Sequence, residues 1–119
     1  PRVLDLMCRR FAQSPAEVLA DFQQACGGAG PALPADCGPL AAGLDELSRL
    51  DARARWTARA GDIRLLAGRR DAIVPPALSD AAANALSNHH ARWVDDGGHL
   101  LPITHPEACA ALIREVASE

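Results

Sequence analysis

A chain of 119 residues, 49% of them hydrophobic, is long enough for one domain with a real core, and with aromatics at only 3% that core has to be built from Leu, Ala, Val and Ile. A net charge of −3 offers no basic field to a phosphate backbone, and the arginines at 53, 55, 59, 69 and 70, set among acids and alanines, read as solvated surface, so nucleic acid is excluded as a partner. No apolar run approaches the roughly 18 residues of a membrane span and no signal peptide is visible, so the expected setting is the cytoplasm, with no membrane partner.

The first half has no convincing strand. "SPAE" (14–17) reads as a helix start, with Ser14 as N-cap, Pro15 at the first helical position and Glu17 able to reach back to the cap. Val18, Leu19, Phe22 and Ala25–Cys26 follow at helical spacing, and Gly27–Gly28 end the helix. "GGAGPALPADCGP" (27–39) is a loop by its glycine and proline content. A further helix carries Leu40, Leu44, Leu47 and Leu50 as a stripe on one face, which reads as packing. Residues 1–60 therefore read as two or three amphipathic helices on a flexible connection, without a catalytic set.

The second half changes rhythm. "DIRLLAG" (62–68) is a short apolar run closed by glycine, as in a buried strand, and "RRDAIVPP" is the loop after it. "PALSDAAANALS" (76–87) is an alanine-rich helix with Leu78, Ala82, Ala85 and Leu86 on one side. "ARWV" (91–94) is a second strand, a glycine turn then presents His99, and "THPEACAALIREVA" (104–117) is a closing helix in which Thr104 and Glu107 match a capping box. Strand, helix, strand, helix is the order of parallel α/β architecture. Two strands are too few to bury such a sheet, so an incomplete sheet is expected, with its remaining strands elsewhere. The start at Pro1 rather than methionine adds to the expectation of a fragment or processed product.

"LLAGRRDAIVPP" followed by "WVDDGGHLLPITHPEACAALI" resembles the C-terminal third of an α/β-hydrolase. In that fold the triad acid follows a late strand as G-x-x-D-x-[IV]-V-P, and the triad histidine follows the last strand as G-H ahead of a proline and the closing helix. The resemblance implies Asp71 and His99 for these roles, 28 residues apart, about the length of one helix plus one strand. It covers about residues 61–119, which would be the C-terminal part of the hydrolase core, while residues 1–60 would be the helical lid. The pattern "F…SPAEVLADFQQACG" with its later leucines looks most like the small carboxylesterases related to the pimeloyl-acyl-carrier-protein methyl ester esterase of biotin synthesis.

The chemistry accounts for the residue types. A serine hydroxyl becomes an effective nucleophile when an imidazole removes its proton, and the imidazole then returns that proton to the leaving group. A carboxylate on the other ring nitrogen fixes the tautomer and stabilises the imidazolium. Asp95 and Asp96 are rivals to Asp71, but they lie only four and three residues before His99 and read as solvent-facing or turn-capping. His105 reads as helix-start packing or capping, and His89 and His90 as a polar turn touching water. Cys8, Cys26, Cys37 and Cys109 show neither C-x-x-C nor metal-ligand spacing, so reduced thiols, no metal and no cofactor are expected.

These residues contain neither the nucleophile elbow G-x-S-x-G nor an HG-type oxyanion loop. The hydroxyls Ser14, Ser48, Thr57, Ser79, Ser87, Thr104 and Ser118 all lack the flanking glycines. The favoured expectation is the C-terminal part of a serine carboxylesterase, inactive alone and completed by a missing N-terminal hydrolase half. Its substrate would be a small ester or one linked to acyl carrier protein. Arg9, Arg10, Arg53, Arg55 and Arg59 are candidates to meet an acidic carrier, beside their plainer reading as solvated surface. The alternatives are a non-catalytic module that self-associates through an exposed sheet edge, and another chemistry of the same fold, such as a haloalkane dehalogenase or C–C hydrolase.

Overall fold

The helical signals of the first half and the alternating rhythm of the second become two separately packed units, Pro1–Asp51 and Ala52–Glu119, in a computed structural model whose described residues are 2–28, 32, 36–86 and 90–118.

The first unit is built from α1 (Arg2–Gln13), α2 (Pro15–Ala25) and α3 (Gly38–Arg49). A single residue, Ser14, separates α1 from α2, and its backbone serves both: its N–H donates to Arg10 O at 2.8 Å and its carbonyl accepts from Val18 at 3.2 Å. The capping box expected at Ser14 and Glu17 is not formed, because a residue placed between two abutting helices has ψ 68° and makes no side-chain cap bond. Arg10 instead spans the joint to Asp21 at 2.9 Å, an exposed pair worth about 1 kcal/mol at most. Gly27 ends α2 as expected, with φ +99° and its N–H on Gln24 O at 3.0 Å, while Gly28 N–H returns to Gln23 O. Most of the loop expected over 27–39 lies outside the described residues. At its far end Asp36 Oδ1 accepts the Gly38 N–H at 2.8 Å, and α3 begins.

Among the described residues of this unit, Phe11 and Val18 are the buried apolar side chains, at 6% and 4% exposure. The leucine stripe of α3 is not packed as expected, since Leu40, Leu47 and Leu50 are exposed. Leu40, Leu44 and Leu47 face an apolar groove of about 430 Å³ shared with Phe11, Val18 and Phe22. Three helices with so few large side chains fill the space between them poorly, so among the described residues Leu44 is partly buried while the rest of the stripe stays open.

The second unit opens with α4 (Arg53–Ala58), which packing places with the residues after it: Trp56 Nε1 donates to Ala82 O at 3.3 Å. β1 (Leu65–Gly68) and β2 (Ala91–Val94) then pair in parallel, with Leu65 opposite Ala91 and Gly68 opposite Val94. Leu65 N–H to His90 O and Arg69 N–H to Val94 O, both 2.9 Å, extend the ladder at its two ends. α5 (Pro76–Ala85) is the crossover between the strands, and α6 (Leu101–Thr104) and α7 (Pro106–Ala117) follow β2. The expected order of strand, helix, strand and helix is therefore present, and the unit is of the α/β class. β1 is shorter than the run 62–68, because Ala60–Asp62 form a 3₁₀ turn ahead of it.

α5 faces inward along Ser79, Ala83 and Leu86 rather than along Leu78 and Ala85, which are exposed. Small side chains at 79 and 83 let the helix backbone approach β1, and Leu86, at 1% exposure, fills the space at its end. Among the described residues, no helix is long and apolar enough to cross a membrane.

The loops at the strand ends approach each other closely. A Cβ at Gly68 would lie 2.2 Å from the Gly97 carbonyl oxygen, and one at Gly97 would lie 2.5 Å from Leu101. Gly68→Ala should therefore destabilise the second unit by on the order of 3 kcal/mol, as overpacking against rigid backbone does. Urea denaturation checks this, with a lower midpoint and an unchanged slope expected.

Candidate active site

Two loops leave the same end of the parallel pair, one after β1 and one after β2. Arg70 N–H donates to Gly97 O at 2.9 Å, and this bond with the glycine contact beside it joins the loops backbone to backbone. Asp71 follows on the first loop. Its Oδ1 accepts the N–H of Ile73 at 2.8 Å and of Val74 at 2.9 Å, the local turn that aspartate favours. That leaves Oδ2 directed across to the second loop, where it meets His99 Nδ1 at 3.0 Å. The Asp71 side chain is 12% exposed and that of His99 30%.

Burial by itself raises the Asp71 carboxyl, but the Val74 amide, the His99 ring, the Ile73 amide and the charge His99 can carry together lower it below its ordinary value near 3.8. It is thus ionised across the neutral range. An ionised carboxylate only accepts, so Nδ1 of His99 is the donor and a neutral ring is the Nδ1–H tautomer, with its lone pair on Nε2. Such a pair can take a proton at Nε2 and stabilise the resulting imidazolium.

Asp71 and His99 are therefore brought together. Of the rival acids, Asp95 is exposed, and Asp96 Oδ1 lies 3.3 Å from His105 Nε2. His105 occupies the N-cap position of α7, and Thr104 does not form the expected capping box. Thr104 ends α6, and its hydroxyl donates to Leu100 O at 3.1 Å and meets His105 Nδ1 at 2.9 Å. His90 is partly buried where it enters β2, and His89 and Ser87 lie outside the described residues. The hydroxyls of Ser48, Thr57 and Ser118 donate to backbone carbonyls three or four residues earlier, and Ser79 is buried in α5. Among the described residues, no group of three or more His, Cys, Asp or Glu gathers to hold a metal ion.

Arg69 was expected as solvated surface. It is exposed, yet its guanidinium lies 3.5 Å over the Trp93 ring and 2.9 Å from Asp80, joining the start of the acid loop to β2 and α5. Residue identity carried no signal for this contact, which depends on the register that sets Ala67 opposite Trp93.

The chain is similar to the pimeloyl-[acyl-carrier protein] methyl ester esterase of Aromatoleum aromaticum, with 37% identity over 81 residues, covering 65% of this chain and 31% of that protein. It is similar as well to the pimeloyl-[acyl-carrier protein] methyl ester esterase of Methylococcus capsulatus, with 32% identity over 112 residues, covering 91% of this chain and 44% of that protein. The resemblance read from the sequence is borne out by these two relatives, of whose length the chain spans less than half. No family profile and no solved structure matches the chain.

The lowered Asp71 carboxyl has a consequence for stability with a definite sign. A folded value below the unfolded one means that the carboxylate stabilises the fold above about pH 4 and ceases to do so as pH falls through the folded value. Asp71→Ala should cost about 3 kcal/mol at pH 7, since it strands two backbone amides and the His99 ring. In denaturation measured from pH 7 downward, the gap to the parent chain should narrow below pH 4.

Proposed function

We propose that this chain is the C-terminal part of a carboxylic ester hydrolase of the α/β-hydrolase fold. Residues 61–119 contribute part of the core and residues 1–60 the lid. Asp71 is the triad acid and His99 the general base. The observation that carries this reading is the contact of His99 Nδ1 with Asp71 Oδ2 at 3.0 Å, made by a carboxylate whose other oxygen is held by two backbone amides. A carboxylate so fixed cannot rotate away, and it keeps the imidazole in the tautomer that general-base catalysis requires.

In the reaction, Nε2 of His99 takes the proton of a serine hydroxyl as that oxygen attacks the ester carbonyl. The imidazolium, stabilised by Asp71, then protonates the departing alkoxide. A water molecule, activated by the same nitrogen, releases the acid from the acyl-enzyme. The serine and the oxyanion donors come from chain outside these 119 residues, which contain no G-x-S-x-G, so the residues described here have no turnover alone. The substrate class follows the two relatives, whose names specify a methyl ester carried on acyl carrier protein. Likeness to esterases favours ester cleavage over dehalogenation or C–C cleavage, and the α/β class and the paired acid and base support the same reading.

The test is steady-state hydrolysis of short p-nitrophenyl esters by a protein that includes the upstream segment. Asp71→Asn should lower kcat by on the order of 10⁴ and His99→Ala by up to about 10⁶, with KM little changed because neither group binds the ester. Turnover untouched by both substitutions would sink the assignment. Efficient hydrolysis by the 119-residue chain alone would refute an external nucleophile.

A further inference from the structure

The loop that carries Asp71 leaves β1 at Arg69 and enters α5 at Pro76. Its first residues are held through the backbone: Arg69 N–H donates to Val94 O and Arg70 N–H to Gly97 O, both at 2.9 Å. Further along, Ile73 and Val74 give their amides to Asp71 Oδ1 at 2.8 and 2.9 Å. Those two amides move with the start of α5. Leu78 N–H returns to Pro75 O at 2.8 Å, and the proline rings at 75 and 76 leave little rotation between Val74 and the helix. The direction of the Asp71 carboxylate therefore depends on where α5 begins relative to the end of β1.

The Arg69 side chain fixes that relation. Strand alternation puts residues 67 and 69 on one face, and Ala67 stands opposite Trp93 in the register. The Arg69 guanidinium accordingly lies 3.5 Å over the Trp93 ring, and its Nη1 donates to Asp80 Oδ1, in the second turn of α5, at 2.9 Å. A planar cation uses its face for the ring and its edge for the carboxylate, so the two contacts do not compete. The bond from 69 to 80 closes the acid loop on itself, with Asp71, Ile73 and Val74 all inside the closure.

We propose that Arg69 is a positioning residue for Asp71, acting with Trp93 and Asp80: it holds α5 at the end of β1, so that one carboxylate oxygen keeps its two amides and the other stays on His99. This inference rests on Asp71 and His99 acting as acid and base, and Arg69 works through Asp71 rather than on the ester. The Arg69 and Asp80 side chains are 39% and 49% exposed, so replacing them leaves the core in place.

Ring ¹⁵N–¹H spectra of the labelled chain near pH 8, where unperturbed histidines are neutral, follow the His99 Nδ1–H that Asp71 accepts. In Arg69→Gln that hydrogen should exchange with solvent about threefold faster, the size that an exposed bridge and a stacked cation together supply. Asp80→Ala leaves the stack on Trp93 and should give a smaller increase. The double variant should be no faster than Arg69→Gln, because Asp80 acts only through Arg69. In the protein with its upstream segment, Arg69→Gln should lower kcat about threefold at unchanged KM. The Trp56 indole signal reports that the unit is folded in each variant. A bridge that only stabilised the fold would shift the urea midpoint and leave exchange and kcat as in the parent, and that result overturns the inference. Single effects that add in the double variant overturn it too. A parent His99 lacking Nδ1–H would instead overturn the acid–base reading, and this inference with it.

Discussion

Gly68 and Gly97 lie closer together than any side chain would allow, and the candidate site depends on that approach. A Cβ at Gly68 would sit 2.2 Å from the Gly97 carbonyl oxygen, while the Arg70 amide beside it donates to the same oxygen at 2.9 Å. Three residues after Gly68 comes Asp71, and two after Gly97 comes His99. With so few rotatable bonds from the contact to each functional group, backbone packing sets the separation of carboxylate and imidazole. Flexible side chains do not have to find each other. The parallel register that puts Gly68 opposite Val94 brings the two loops out at the same end of the strands.

On this frame the electrostatics are divided between the two oxygens of Asp71. One takes two backbone amides, and the other takes the imidazole. Burial works against the charge, but the hydrogen bonds outweigh it and the carboxyl titrates low. The result is an anion stable at neutral pH and fixed in direction. Arg69, stacked on Trp93 and bridged to Asp80, adds side-chain attachment just ahead of the acid.

Much of this was legible in the chain itself, and what was not has physical reasons. β2 was readable at its bounds, because "ARWV" lies between a polar turn and a glycine turn. That Asp71 and His99 meet was foreshadowed by the resemblance, which set D-x-[IV]-V-P and a Gly-flanked histidine in order, one helix and one strand apart. The caps at Ser14 and Thr104 were misread. A capping box is inferred from side-chain identity, which cannot reveal that α1 abuts α2, or α6 abuts α7, across one residue. The inward face of α5 was misjudged because Leu78 outweighs Ser79 in hydrophobicity, yet the small side chains are the ones that allow close approach to β1. The α3 stripe had the right period, but periodicity does not say whether another surface covers it. Arg69 on Trp93 and Asp96 on His105 are contacts across elements, visible only once strand register and loop path exist.

The central claim is that Asp71 and His99 activate a serine that lies outside these residues. Fluorophosphonate labelling of the protein with its upstream segment, followed by peptide mass spectrometry, tests it most directly. The account predicts an adduct on a serine upstream of Pro1, formed on the order of 10³-fold or more slowly in His99→Ala. An adduct on a hydroxyl within the 119 residues, or a labelling rate indifferent to His99, would contradict it.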